Sequence, residues 1–113
     1  MYRVIKIGEK DVEMVANAAT PYRFKQIFRK DYFRYTVSED RDGAEDMDVM
    51  ARMAYVMAMQ AAKADMAKLN EDTFLEWMEQ FGMMDVIGAV ADIMDMINGN
   101  SAEMSTPKAE AAQ

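Results

Sequence analysis

The stretch from Ala44 to Lys68, AEDMDVMARMAYVMAMQAAKADMAK, contains neither Gly nor Pro and consists largely of Ala, Met and charged residues. Met47, Met50, Ala54, Met57, Ala61 and Ala64 recur at the three- and four-residue intervals that place side chains on one face of a helix. Glu45, Asp46 and Asp48 near its start and Lys63 and Lys68 near its end suit the helix macrodipole. The stretch is therefore predicted to be the longest helix, over about 44–68, and the rest of the chain must pack around it.

Upstream, Tyr2 to Ile7 and Asp11 to Ala16 are rich in Val, Ile and Tyr and alternate, with Tyr2 and Val4 opposed to Arg3, Ile5 and Ile7, followed by Val12, Met14 and Ala16. They read as a β-hairpin over 2–16 with a three-residue turn, Gly8-Glu9-Lys10. A lone hairpin is marginal in water, so it must pack on the helices. Thr20 as N-cap and Pro21 at the first helical position start a helix of about 20–30, with Phe24, Ile27 and Phe28 on one face. Residues 31–36 favour neither helix nor strand, and Ser38 to Asp46 is a charged, solvated loop.

Downstream, Thr73 with Glu76 three residues later forms a capping-box pattern for a helix over 71–81, on which Phe74, Trp77, Met78 and Phe81 share a stripe. Gly82 ends it. Met83, Val86, Ile87, Val90, Ile93, Met94 and Ile97 then line a helix over 83–98, stopped by Asn98-Gly99. Residues 99–113 lack the apolar content for a core and read as a disordered tail. The expected architecture is a single α+β domain over 1–98, mostly α, with the hairpin packed on a cluster of about four helices.

The size suits one domain, at 113 residues and 12.9 kDa. The chain has no Cys and no His, which removes thiol and imidazole nucleophiles and bases and any zinc site of N and S ligands. No run approaches the length of a membrane-spanning helix, and MYRVIKIGEK lacks the apolar core of a signal peptide, so a cytosolic protein is expected. Two features are unusual. Fourteen residues are Met, a side chain that fills irregular cores and equally suits surfaces that repack against varied partners. The charge is also divided, because residues 1–35 carry +4 and residues 36–113 carry −11, for a net −7.

Three constellations could carry chemistry. Tyr22, Arg23, Phe24, Lys25, Phe28, Arg29, Lys30, Tyr32, Phe33, Arg34 and Tyr35 interleave rings and cations as single-strand nucleic-acid binders do. Helical spacing, however, places Phe24, Ile27 and Phe28 in a core, and the overall acidity opposes polyanion binding. Ser38, Asp40, Asp42, Gly43 and Asp46 follow half of a calcium loop, but the first position is Ser and the twelfth is Val49 rather than Glu. Asp85, Asp92 and Asp95, or Glu76 and Glu79, could pair for hydrolysis, yet they occupy polar faces where no carboxyl has its pKa raised by burial. These residues point to a binding or assembly protein, not an enzyme, with no cofactor or metal.

The order of a short hairpin, then ANAATPYRFKQIF (16–28) with Asp31 after it, then MAYVMAMQA (53–61) and FLEWMEQFGMMDV (74–86), resembles the tail assembly chaperones of long-tailed phages and prophages. The resemblance spans about residues 2–97 and rests on structural motifs; it departs from the pattern at Arg29, where Gly is expected before Lys30-Asp31. It implies a protein of the bacterial host cytoplasm that binds the tape measure protein, keeps it soluble and helps recruit tail tube protein, and that is absent from the mature virion. Such proteins commonly occur in a short form and a frameshifted long form, and this sequence resembles the short one. The divided charge further suggests self-association, and the candidate partner-binding residues are Met53, Met57, Met59, Trp77, Phe81, Met83 and Met84. The alternatives are a small nucleic-acid-binding regulator acting through 22–35 and a structural virion protein.

Overall fold

A computed structural model describes the backbone of residues 1–105 and the side-chain surroundings of residues 1–99. The elements are β1 (Tyr2–Ile7), β2 (Lys10–Val15), α1 (Thr20–Phe28), α2 (Tyr32–Val37), α3 (Gly43–Ala61), a 3-10 turn at Met66–Lys68, α4 (Glu71–Met78), α5 (Asp85–Gly88) and α6 (Val90–Ser105). The expected class, a hairpin packed on a mostly helical body, is what the structure has. α3 is its axis, with nine buried residues on it, including Met50, Met53, Ala54, Tyr55 and Met57.

The hairpin pairs Tyr2 with Val15 through Ile7 with Lys10, so its turn has two residues, Gly8 and Glu9, rather than the three expected. Gly8 has φ 62, the positive value a tight hairpin needs at its first central position. A second constraint acts on the same residue: a Cβ there would collide with the Asp85 carboxylate. Ile5, Ile7 and Met14 point inward and are buried, while Tyr2 and Val4 on the other face are exposed, as the alternation predicts. β2 lies along α3, and β1 meets α5 and α6.

Helix ends account for most departures from the sequence-based boundaries. Thr20 is the first residue of α1, not its cap; its hydroxyl accepts from the Asn17 N–H at 3.0 Å and so fixes the turn that leads in. Arg29 closes α1 in the left-handed region at φ 61, a conformation that Gly adopts most readily at a helix end. Asp31 then accepts from the Phe33 and Arg34 N–H groups and starts α2, which resolves the ambiguous 31–36 segment as a helix.

α3 stops at Ala61 rather than Lys68 because Lys63 turns left-handed at φ 57. The Ala64 N–H donates to the Met59 carbonyl at 3.0 Å and the Lys63 N–H to the Gln60 carbonyl at 3.1 Å, a Schellman closure made without Gly. The capping box of α4 is Asn70 with Thr73, each side chain accepting from the other's N–H, and not Thr73 with Glu76. α4 ends at Met78. The helix expected over 83–98 is broken at Ala89 into the single turn α5 and α6; with α2 as the other addition, the about four helices expected are six among the described residues. α6 runs through Asn98 and Gly99 to Ser105; the remainder of the expected tail, 106–113, lies outside the described residues.

An aromatic chain ties the helices together. Phe24 and Phe28 of α1 lie 5.4 Å apart, Phe28 meets Phe74 edge-on at 5.4 Å, and Tyr55 of α3 contacts Phe74 and Trp77 at 5.5 and 5.4 Å. Such pairs add about 0.5–1.5 kcal/mol each beyond the area they bury. The Arg52 guanidinium sits 4.9 Å from the Phe28 ring centroid and 4.7 Å from that of Phe74, and is held by Asp48 and Glu71. The Tyr55 hydroxyl donates to Thr73 Oγ1 at 2.7 Å, which satisfies the one polar atom this ring carries into the interior.

Candidate binding surfaces

Among the apolar surfaces of the described residues, two combine several exposed side chains near the candidate residues. The first is a cleft of about 600 Å³ between the start of the hairpin, α1, α2 and α6. Pro21, Tyr22, Tyr32 and Phe33 wall it, Ile97 closes one side and Met53 and Met57 form its floor. Tyr22 and Phe33 pack edge-to-face at 5.6 Å and are 65% and 51% exposed, so two large rings stand at the rim with solvent on one side. Tyr32 is half-buried, and burial raises its phenol pKa above the ordinary value, with Arg41 opposing.

The second surface is a knuckle between α4 and α5. Met83 is 94% exposed and Met84 63%, and Leu75 and Ile87 nearby in the chain are also exposed. The turn is held from behind: the Gly82 N–H donates to Asp85 Oδ2 at 2.7 Å, and that carboxylate packs against Gly8 of the hairpin. Trp77 and Phe81, which precede it in the chain, are 5.0 Å apart and half-buried against the core.

The sequence-based candidates thus divide. Met83 and Met84 are at the surface. Met53 and Met57 are core residues, 2% and 0% exposed, that back the floor of the cleft; the expectation that they present free faces of the long helix is corrected. Met59 and Trp77 meet in a separate groove of about 560 Å³ beside β2, whose other walls include Lys10, Asp11, Glu13 and Gln80 and are more polar. Phe81 is half-buried against the core. The rim residues Tyr22 and Phe33 were not singled out as partner-binding; their signal was the ring-and-cation segment, read there for nucleic acid.

Several members of the polar constellations are engaged within the fold. Lys25 lies 4.0 Å from Asp31 and Lys30 4.0 Å from Asp48. In the acidic loop Asp42 caps α3 by accepting from the Glu45 N–H, while Asp46 accepts from the Tyr35 hydroxyl and pairs with Arg41 at 3.3 Å. Burial, and then that hydrogen bond, push the Tyr35 phenol well above its ordinary pKa. Asp95 pairs with Arg3 at 3.0 Å. Among the described residues no group of three acidic side chains could hold a metal, and no helix is long and apolar enough to cross a membrane. No protein-family model matches the chain, and neither does any curated protein or solved structure.

Proposed function

We propose that this protein is a tail assembly chaperone that binds the tape measure protein and keeps it soluble while tail tube protein assembles around it. The observation that carries the reading is the open cleft, with the exposed rings of Tyr22 and Phe33 at its rim. A groove of that kind accepts apolar anchors of an amphipathic helix, because Tyr and Phe at the rim offer large contact area and solvent on one side leaves them room to adjust. A tape measure is a long helical chain with repeated apolar faces, so many such weak contacts along it would hold it in solution. The net charge of −7 keeps the loaded chaperone dispersed. No catalytic group, cofactor or metal enters this reading.

The test is co-expression with the tape measure protein, followed by light scattering on the soluble fraction. A soluble complex with several chaperone copies per long chain is expected, and Tyr22→Ser/Phe33→Ser should leave the client in the pellet while its own unfolding midpoint stays near that of the parent. A client that stays insoluble beside the unaltered chaperone would defeat the proposal.

A further inference from the structure

The hairpin leaves one edge of β2 open onto a groove. The Met1 ammonium donates to the Ala16 carbonyl at 2.6 Å and the Ala16 N–H donates to the Met1 carbonyl at 2.8 Å, so this pair exchanges both ladder bonds. Antiparallel pairs alternate between bonded and non-bonded, and the register then makes Arg3 with Met14, Ile5 with Val12 and Ile7 with Lys10 the bonded pairs. Lys6 with Asp11 and Val4 with Glu13 are non-bonded, so the N–H and C=O groups of Asp11 and Glu13 point away from β1. The sheet has only these two strands, and among the described residues no backbone group outside it bonds to those of Asp11 and Glu13. Both residues line the groove of about 560 Å³ beside β2, whose apolar wall includes Ala58 and Met59 of α3 and Trp77 of α4. Their carboxylates are exposed, and although Lys6 stands opposite Asp11, neither is in an ion pair among the described residues.

We infer that this edge takes a third strand, an extended segment of another protein in which apolar residues alternate with Lys or Arg. An open strand edge presents main-chain donors and acceptors at a spacing that an extended chain matches and a helix, with its own backbone bonds closed, does not. Side chains then decide which extended chain fits. On a strand laid beside β2, residues on the side of the sheet that Val12 shares with α3 meet Met59 and Trp77. Residues on the opposite side stand next to Asp11 and Glu13, where a cation across the ladder is favourable and a carboxylate is not. The same rule disfavours a second β2 edge as the occupant, since Asp11 and Glu13 would then face the same two carboxylates. Lys10, the cation of the groove, lies at its turn end and leaves the other two positions acidic. This surface selects an extended chain whereas the aromatic cleft suits a helix, so the inference needs neither the cleft nor a tape measure protein.

The experiment uses the full chain and three capped hexapeptides: one of alternating Lys and Val, one of alternating Glu and Val, and the Lys-Val peptide N-methylated throughout. Affinity is read by fluorescence anisotropy at low salt, and amide hydrogen exchange by NMR. The Lys-Val peptide should bind and slow exchange at Asp11 and Glu13, whose amides exchange freely in the protein alone, while the Val12 and Met14 amides are protected throughout. The N-methylated peptide keeps the charge and the apolar side chains but has no main-chain donors, and should bind about tenfold more weakly or worse. The Glu-Val peptide should also bind more weakly. Glu13→Pro deletes a donor that the hairpin does not use and blocks the edge, so it should lose the peptide while circular dichroism and the unfolding midpoint stay near those of the parent. Glu13→Lys, which leaves the backbone unaltered, should reverse the preference between the Lys-Val and Glu-Val peptides and decides the matter if Glu13→Pro does not fold. No binding of the Lys-Val peptide at millimolar concentration, equal binding of either control peptide, or a folded Glu13→Pro that binds as the parent does would each overturn the inference. So would slow exchange at Asp11 and Glu13 in the protein alone, because a second copy or another part of this chain would then already pair the edge.

Discussion

Met50, Met53 and Met57 on α3 and Met83 and Met84 between α4 and α5 are the same residue type in runs of similar apolar density, yet the first three are at most 5% exposed and the last two are 94% and 63% exposed. Neighbours account for the difference. On α3 the methionines alternate with Ala51, Ala54 and Ala58, small residues that let β2, α1 and α6 approach closely and cover the thioethers. At the knuckle they follow Gly82 and precede Asp85, whose bond to the Gly82 N–H turns the chain outward before any helix can bury them. Methionine content alone therefore says nothing about exposure; the residue that directs the backbone does.

The sharpest way to break that comparison is to put the same hydroxyl in both regions. Met57→Ser leaves a cavity under the cleft and a polar group without a partner, and should lower stability by about 3–5 kcal/mol in urea titration. Met83→Ser should fall within about 0.5 kcal/mol of the parent. A cost at Met83 comparable to that at Met57 would mean the knuckle is packed, and the contrast would collapse.

Arg52 tests whether the two regions are mechanically joined, since it links α3 to α4, the helix from which the knuckle emerges. Its side chain is 14% exposed, its Nε bonds to both Asp48 oxygens, and it lies over Phe28 and Phe74. Arg52→Ala removes two cation–π contacts, leaves Glu71 without its partner and Asp48 with Lys30 alone, so a loss of about 1–2 kcal/mol is expected in thermal or urea unfolding. A neutral result would assign the α3–α4 contact to the aromatic chain alone.

Periodicity over 44–61 and alternation over 2–16 were legible because burial enforces them across many residues. The ends were not. Lys63 and Arg29 sit in left-handed backbone that sequence reading assigns to Gly, so α3 was extended to Lys68 and α1 to Lys30. Thr73 was recognised as part of a capping box but paired with the wrong residue, since Asn70 and Thr73 satisfy one another and leave Glu76 free. Of the surfaces, Met83 and Met84 could be found from the adjoining Gly82. The cleft could not, because Pro21, Phe33 and Ile97 are far apart in sequence and meet only through tertiary packing. The same left-handed positions sharpen the point: an L-residue there costs roughly 1–2 kcal/mol relative to a conformation it prefers. Arg29→Gly and Lys63→Gly should each raise stability by about 0.5–1 kcal/mol, read as a higher urea midpoint. A drop would show that the side chain contributes more than the backbone conformation costs.

The smallest effect expected is electrostatic and separates the ion pair of Arg52 from its ring contacts. Hydrogen bonding from Arg52 holds the Glu71 carboxyl below its ordinary pKa of 4.5, partial desolvation opposing, and the proximity of Arg52 and Lys30 adding to the lowering. A folded-state pKa below the unfolded one gives stability that is fully present above about pH 4.5 and is lost as pH falls through the folded value. Glu71 is 54% exposed, so the contribution is that of a screened pair, about 0.5 kcal/mol. Glu71→Gln should therefore unfold slightly earlier than the parent at pH 7, and the gap should narrow as pH falls below 4.5 and close only once pH has passed below the lowered folded-state value, where the parent carboxyl is protonated as well. The Arg52→Ala deficit, by contrast, should persist in part at that acid pH, since Phe28 and Phe74 still lose the cation they flank. If both gaps vanish together, the rings contribute nothing and the ion pairs alone join α3 to α4.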